Sequence, residues 1–380
     1  METLKGKCYG CGAELQFVDE SIPGFVPEKL LDKPGVICKR CHRIKHYNEV
    51  IRVTLEEEKF VDILRQISTQ SAVVIYVMDS FDFEGSWITQ LKKLIKDQPI
   101  YVVVNKIDIL PKDINQQRIR LWIKHELEKK KLPVQAIFLA SAYKQWGIDE
   151  IATYVRNNKG KRDVYVVGAT NVGKSTLINR LIPLLVAEDG IEASTKLFDL
   201  PELTTSVYPG TTVEALKIPL SRKSAIYDTP GIVKKDRLIE QICPSCLNIV
   251  TPSKKIDPRI FQLNDQQTLF FGGLARIDYV KGNKQSFVCY VSNDLVVHRT
   301  KLEKADELYE KHYLELLSPP CKECESDLAL TKEYEFDIPA NHETDLVISG
   351  LGWLTIKGEA ALVKIRVPQS AQVVKRKALI

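Results

Sequence analysis

No apolar run in this 380-residue chain approaches the roughly 20 residues a membrane-spanning helix needs; the longest, such as AVVIYVM at Ala72 to Met78, are strand-sized. Nor does the N-terminus carry an apolar signal core. A cysteine pair begins at Cys8, inside what reads as a folded unit, so neither a secretory signal nor a transit peptide is expected. Sequence repeats and low-complexity tracts are lacking as well, which argues against a solenoid or a disordered tail. Charge of one sign does not dominate. The 54 basic and 49 acidic residues leave +5, which permits nucleic-acid contact without arguing for it, so local clusters must carry that case.

Cysteine is what the chain does have. Eight of its nine cysteines fall into four C-x-x-C pairs. Without a secretion signal disulfides would be kept reduced, and the paired spacing favours a metal. Cys8, Cys11, Cys38 and Cys41 suit a tetrahedral zinc site, with a redox pair as the rival. Cys243, Cys246, Cys321 and Cys324 can close a second zinc site if the fold joins two distant knuckles; otherwise they are separate thiols. Cys289 lies in an apolar strand and is expected as a buried core thiol.

Texture along the chain gives three parts. Residues 1–52 have little periodic apolar pattern and need a metal staple. Residues 53–237 alternate β-rich runs (SAVVIYVMD, PIYVVVNK, VQAIFLASA, DVYVVGA, KSAIYDTPG) with helical stretches (WITQLKKLIKD, QQRIRLWIKHELEKKK, GKSTLINRLIP). That alternation predicts an α/β domain with a parallel sheet covered on both faces. Residues 238–380 are mostly strands separated by turns, interrupted by a helical stretch, KLEKADELYEKHYLELL, and predict a β-rich domain.

GATNVGKS fits the phosphate-loop pattern, after the strand DVYVV and before the helix STLINRL. The loop residues Gly168, Thr170, Asn171, Val172, Gly173, Lys174, Ser175 and Thr176 are assigned to a nucleotide. Lys174 would reach the β- and γ-oxygens, and Ser175 would hold Mg²⁺. Downstream, YDTPG ends another strand. Asp228 suits a water-mediated Mg²⁺ contact, and Gly231 would offer its N–H to a γ-phosphate. Between the two motifs, YPGTTVEALKI supplies a threonine for Mg²⁺. Thr211 and Thr212 compete for that role, and Thr212 is preferred.

NKID ends a strand before the phosphate loop rather than after it. A guanine edge presents N1–H and N2–H₂ together, and Asp108 can accept both. Asn105 can bond the base edge and tie loops together, and the stem of Lys106 can cover the base face. Ser141 and Ala142, at the end of the next strand, can turn a backbone N–H towards guanine O6. All five elements of a GTPase are therefore present in permuted order. The strand ends that hold a ligand are unchanged by where the chain starts, and termini often lie close together.

Together with CYGCG, CKRCHRIKHYNEV and RIFQLNDQQTLFFGGLARIDYV, this order resembles the YqeH family of circularly permuted ribosome-assembly GTPases. The resemblance implies a cytoplasmic bacterial GTPase with an N-terminal zinc unit and a β-rich C-terminal domain. It also implies GTP, GDP and Mg²⁺ as ligands, and ribosomal RNA and a small-subunit precursor as partners. A membrane partner is not expected, and a monomer is. Asn171 occupies the phosphate-loop position that in related GTPases helps hold K⁺, which implies K⁺-stimulated hydrolysis. Ile232 stands where many GTPases place a water-orienting Gln, so slow intrinsic turnover is expected. Candidate RNA contacts are Lys39, Arg40, His42, Arg43, Lys45, His46 and Tyr47 at one end. Arg276, Lys281, Lys284, Arg299, Lys301 and the tail VVKRKALI supply them at the other. A GTP-dependent RNA-modification factor and a nucleotide-binding scaffold with negligible turnover are the other function classes.

Overall fold

Runs rich in Val, Ile and Tyr build the centre of a seven-stranded sheet, and they are continuous rather than alternating because both faces are covered. In the computed structural model, residues 14–20, 24–30, 36, 38–39, 54–55, 57–112, 114–186, 205–207, 214–221, 223–324 and 327–380 are described. They form two compact units. One contains the residues up to Asp79, Ser86–Ile107 and Ile123–Val233; the other contains Ser80–Gly85, Asp108–Trp122 and Lys234–Ile380.

The first unit contains β1 (Thr54–Leu55), β2 (Ala72–Asp79), β3 (Ile100–Asn105), β4 (Ala136–Leu139), β5 (Asp163–Val167), β6 (Thr205–Val207), β7 (Glu214–Ser221), β8 (Ser224–Asp228) and β9 (Gly231–Ile232). The main sheet has the order β4-β3-β2-β5-β8-β7-β6. Its first five strands run parallel, and β7 and β6 are antiparallel additions at one edge. Strands β2, β3 and β8 are buried along their whole length. Helix Glu57–Ile67 buries Phe60, Ile63, Leu64 and Ile67, and helix Ile148–Lys159 buries Ile148, Ile151, Ala152 and Val155. Both sets follow the three-four spacing of an amphipathic helix.

Three helical expectations are adjusted. WITQLKKLIKD is helical only over Leu91–Ile95, because Gln90 and Lys96 both take positive φ and end the helix. Helix Lys174–Val186 runs past Pro183, where the sequence suggests a stop. The stretch KLEKADELYEKHYLELL gives a 3-10 turn, Leu302–Lys304, and a helix, Ala305–His312.

The second unit contains β10 (Arg259–Leu263), β11 (Gln267–Phe271), β12 (Ala275–Gly282), β13 (Gln285–Val291), β14 (Val297–Lys301), β15 (Lys332–Ile338), β16 (Thr344–Ile348), β17 (Gly352–Ile356), β18 (Ala361–Val367) and β19 (Val373–Lys377). They make two five-stranded sheets, β10-β13-β17-β16-β19 and β14-β11-β12-β18-β15, in which all neighbours are antiparallel. Alternate residues of β15 and β18 turn towards a core shared by both sheets. That core includes Leu269, Ile277, Phe287, Leu346, Leu354 and Ile365. Cys289 lies within it as expected, and burial pushes its thiol up to about 12, which leaves it protonated and unreactive.

Buried ion pairs interrupt the apolar packing of this unit. Arg237 is fully buried; its Nε donates to Asp82 Oδ2 at 2.7 Å and its guanidinium reaches Glu240 Oε1 at 3.2 Å. Arg376 Nε donates to Asp345 Oδ2 at 3.2 Å, and Thr355 Oγ1 donates to Asp345 Oδ1 at 2.6 Å. Of the candidate RNA contacts in this unit, Arg276 is buried against Asp278 at 2.8 Å and is a structural ion pair; Lys281, Lys284 and Lys301 stay at the surface.

Candidate nucleotide-binding site

β5 delivers the chain into Gly168 at the carboxyl end of the parallel strands, where open sheets of this kind bind their ligands. The loop then turns through two residues of positive φ, Asn171 at 60° and Gly173 at 91°, before helix Lys174–Val186 begins. Its glycines are required by space. A Cβ on Gly168 would meet Val77 O at 2.5 Å, and one on Gly173 would meet Asn105 Nδ2 at 2.3 Å. The helix N-terminus aims backbone N–H groups into the cradle, which suits phosphate. Lys174 Nζ donates to Gly168 O at 3.0 Å and Ala169 O at 2.8 Å, so its ammonium is held over the loop.

β8 ends beside this loop. Ser175 Oγ lies 3.4 Å from Asp228 Oδ2, which puts the two expected Mg²⁺ groups together. Thr229 Oγ1 donates to Val166 O at 2.7 Å and fixes the start of the next turn. Beyond it, Thr170 N–H donates to Ile232 O at 3.0 Å, and a Cβ on Gly231 would lie 2.9 Å from Lys174 Nζ. Gly231 thus lies close to the lysine ammonium, where any side chain would crowd Lys174 and Thr170. Ile232 is buried, with its backbone paired to the phosphate loop. The cradle that these missing Cβ atoms leave and the adjacent hydroxyl and carboxylate fit a nucleotide phosphate and Mg²⁺.

Asn105 joins the two halves of the site. Its buried Nδ2 donates to Val172 O at 2.9 Å, and its Oδ1 accepts from Ala142 N–H at 2.9 Å. One amide therefore ties the phosphate loop to the S-A loop. Ser141 N–H donates to Trp146 O at 3.0 Å. Both backbone N–H groups have internal acceptors, and presenting either to guanine O6 requires that bond to be shared or exchanged. Lys106 takes φ 65°, and its Nζ donates to Asp79 Oδ2 at 2.6 Å. Asp79 was not legible as a site residue, since the motif names the lysine and not its partner across β2 and β3. Asp108 lies half-exposed in the 3-10 turn Ile107–Ile109, directly after β3.

Several expected site residues lie outside the described residues: Thr211 and Thr212, and Cys8, Cys11 and Cys41 of the first zinc set. Cys38 is described and buried. By contrast, Cys243, Cys246, Cys321 and Cys324 are gathered, with all four sulfurs within 4.8 Å of one another.

A family described as "50S ribosome-binding GTPase" matches residues 163–269, and one described as "YqeH-like, C-terminal" matches residues 284–379. The "Uncharacterized protein YqeH" of Bacillus subtilis (strain 168) is 43% identical over 98% of this chain and 99% of its own length. The chain belongs to the YqeH family. The fold is accordingly that of a circularly permuted P-loop GTPase, with the strands β3 and β4, which end in the N-K-I-D and S-A segments, ahead of the phosphate loop in the chain. The activity is GTP hydrolysis with Mg²⁺. Within the wider set of YqeH relatives, "NO-associated protein 1, chloroplastic/mitochondrial" of Arabidopsis thaliana is 28% identical over 94% of this chain and 70% of its own length. The crystal structure of YjeQ from Thermotoga maritima resembles 42% of this chain and 48% of that chain, at 21% identity and a TM-score of 0.25. No helix among the described residues is long and apolar enough to cross a membrane.

Proposed function

We propose that this GTPase is a nucleotide-gated switch that binds ribosomal RNA or a precursor particle and assists assembly of the small ribosomal subunit. The observation that carries the switch is the Asn105 amide, which bonds the phosphate loop and the base-reading loop at once. A bound guanine nucleotide is then sensed at both ends by one rigid group. Gly231 opens β9, shortly after β8, and from it the chain runs to Lys234 and into the second unit without the N-K-I-D and S-A segments intervening. Nucleotide-dependent ordering of that segment has a short covalent path to a β-rich unit carrying surface lysines. The zinc unit at residues 1–52 and the unit at 238–380 would be the two RNA-binding flanks.

Co-sedimentation tests the reading. The protein loaded with a GTP analogue should pellet with small-subunit particles and leave them when loaded with GDP. Equal binding in both states, or binding to large subunits alone, as the words "50S ribosome-binding" in the matched family suggest, would overturn it.

Base reading has its own test. Asp108→Asn should weaken GTP binding roughly 10²-fold or more, since two bonds to a charged acceptor are lost, and should raise affinity for xanthosine triphosphate. Unchanged GTP affinity on titration with a fluorescent nucleotide would refute the role of Asp108.

Asn171, held at φ 60° at the turn of the phosphate loop, is proposed to hold K⁺ where other GTPases place an arginine. Hydrolysis should then run about tenfold faster in KCl than in NaCl, because a cation fixed at the developing charge stabilises the transition state. Equal rates in the two salts would defeat this. With Ile232 in place of a water-orienting Gln, turnover without a ribosomal particle is expected to be slow.

A further inference from the structure

Cys243 precedes the short helix Pro244–Val250 and Cys246 lies in its first turn. Cys321 and Cys324 form a second knuckle, closed by Cys324 N–H donating to Cys321 O at 3.1 Å. Separated in the chain by 78 residues, the Cys243 and Cys321 sulfurs are 3.5 Å apart. All four sulfurs lie within 4.8 Å of one another. A tetrahedral ZnS₄ unit with bonds of about 2.3 Å places its sulfurs about 3.8 Å apart, close to this spacing.

We propose that Cys243, Cys246, Cys321 and Cys324 hold a structural Zn²⁺ that fastens the entry of the second unit to its own core. The surrounding hydrogen bonds are those of a zinc knuckle pair. Cys243 N–H donates to Cys324 Sγ at 3.4 Å, which stabilises a thiolate across the two knuckles. Ser245 Oγ lies 3.0 Å from Cys243 Sγ and donates to Glu323 Oε2 at 3.3 Å, a second link between them. With four thiolates and no open position the site is closed, so a structural metal fits and a catalytic one does not. A disulfide would join only two of the four sulfurs and needs about 2.05 Å between them, which does not explain why all four converge.

The two knuckles are moored to different parts of the unit. Val250 is in its core, and Leu247, Ile249 and Cys324 pack against that core. On the other side, Pro319 O accepts from Gly273 N–H at 2.7 Å, at the turn between β11 and β12. The ion would therefore lock the helix that follows the D-T-P-G segment onto the β11–β12 hairpin. Since no such site exists in an unfolded chain, zinc binding would be coupled to folding of this region.

The test is the zinc content of the full chain, purified without a metal-affinity tag and without chelator. The Cys321→Ser/Cys324→Ser variant should lose one zinc per chain relative to the parent. Cobalt loading should lose the matching share of its sulfur-to-cobalt charge-transfer absorbance. Cys321→His, which keeps a Cys₃His set, should retain the metal. That variant keeps the proposal testable should the double serine variant not fold. Equal zinc in the parent and the double variant, loss of zinc from Cys321→His equal to that from the double variant, or disulfides between these cysteines in peptides of the freshly purified parent would overturn the assignment. None of these readouts depends on GTP hydrolysis, so failure here leaves the switch reading standing, and the reverse.

Discussion

Lys174→Ala should lower GTP hydrolysis by about 10²–10³-fold, the usual effect of removing one preorganised donor at a developing charge. Lys174 is only 8% exposed, and its Nζ is held 3.0 and 2.8 Å from the Gly168 and Ala169 carbonyls. Those two bonds position the ammonium over the cradle before any nucleotide arrives, so little reorganisation opposes its use. The alanine variant loses the cation and its bonds to the Gly168 and Ala169 carbonyls, so GTP affinity should fall with the rate. Lys174→Arg should be nearly as poor. The place a Gly231 Cβ would occupy is 2.9 Å from Nζ and 3.1 Å from Thr170 Cα, a slot for a point charge and not for a planar fork. Single-turnover hydrolysis with saturating enzyme separates the two effects, and a rate within about threefold of the parent would refute the assignment, given the magnitude expected for such a donor.

The legible part of this site is the part written in short, local patterns. A phosphate loop needs two glycines and a lysine at fixed spacing after a strand, so Gly168, Gly173 and Lys174 could be named from the sequence, and the strand carrying them is β5. NKID could be placed because β3 is continuous and apolar, and the permuted order cost nothing once strand ends rather than chain order were compared. Partners across the sheet are a different matter. Asp79 meets Lys106 because β2 and β3 pair with Asp79 opposite Asn105, a register no local pattern states. Likewise the four sulfurs of the second cysteine set were recognisable as two pairs, and only the packing of helix Pro244–Val250 against the 321–324 turn makes them one cluster. The segments Ser80–Gly85 and Asp108–Trp122 belong to the second compact unit although they interrupt the sequence of the first. What draws them there is side chains, Asp82 to Arg237 and Phe81 and Trp122 to the Trp353 and Arg376 cluster. Basic character alone also misled: Arg276 counted as a surface cation in the sequence, and its guanidinium is spent on Asp278 and Asp306.

That cluster carries the largest expected effect on stability. Arg376→Ala should destabilise the second unit by about 3–5 kcal/mol, the range for stranding one partner of a buried pair. Asp345 is fully buried and Arg376 is 4% exposed. The Arg376 guanidinium carbon also lies 4.8 Å from the Trp122 ring and 5.5 Å from the Trp353 ring, so its removal opens a gap between two indoles as well. Asp345 would keep Thr355 Oγ1 and the Leu379 N–H at 3.0 Å, which do not replace a positive charge. The sign with pH follows from its environment. Burial already holds the Asp345 carboxyl above the usual carboxylate range, against the opposing pull of Arg376. A group raised on folding contributes stability below its unfolded pKa, and that contribution is lost as pH rises through the folded value. Without Arg376 the rise is larger, so a protonated Asp345 relieves more of the penalty. The stability deficit of Arg376→Ala should therefore be smaller at pH 5 than at pH 8, and Asp345→Asn added to it should recover part of the loss at pH 8. Urea unfolding followed by tryptophan fluorescence measures both. A deficit that is the same at the two pH values would show that the cost is packing around Trp122 and Trp353, and that the ion pair contributes nothing.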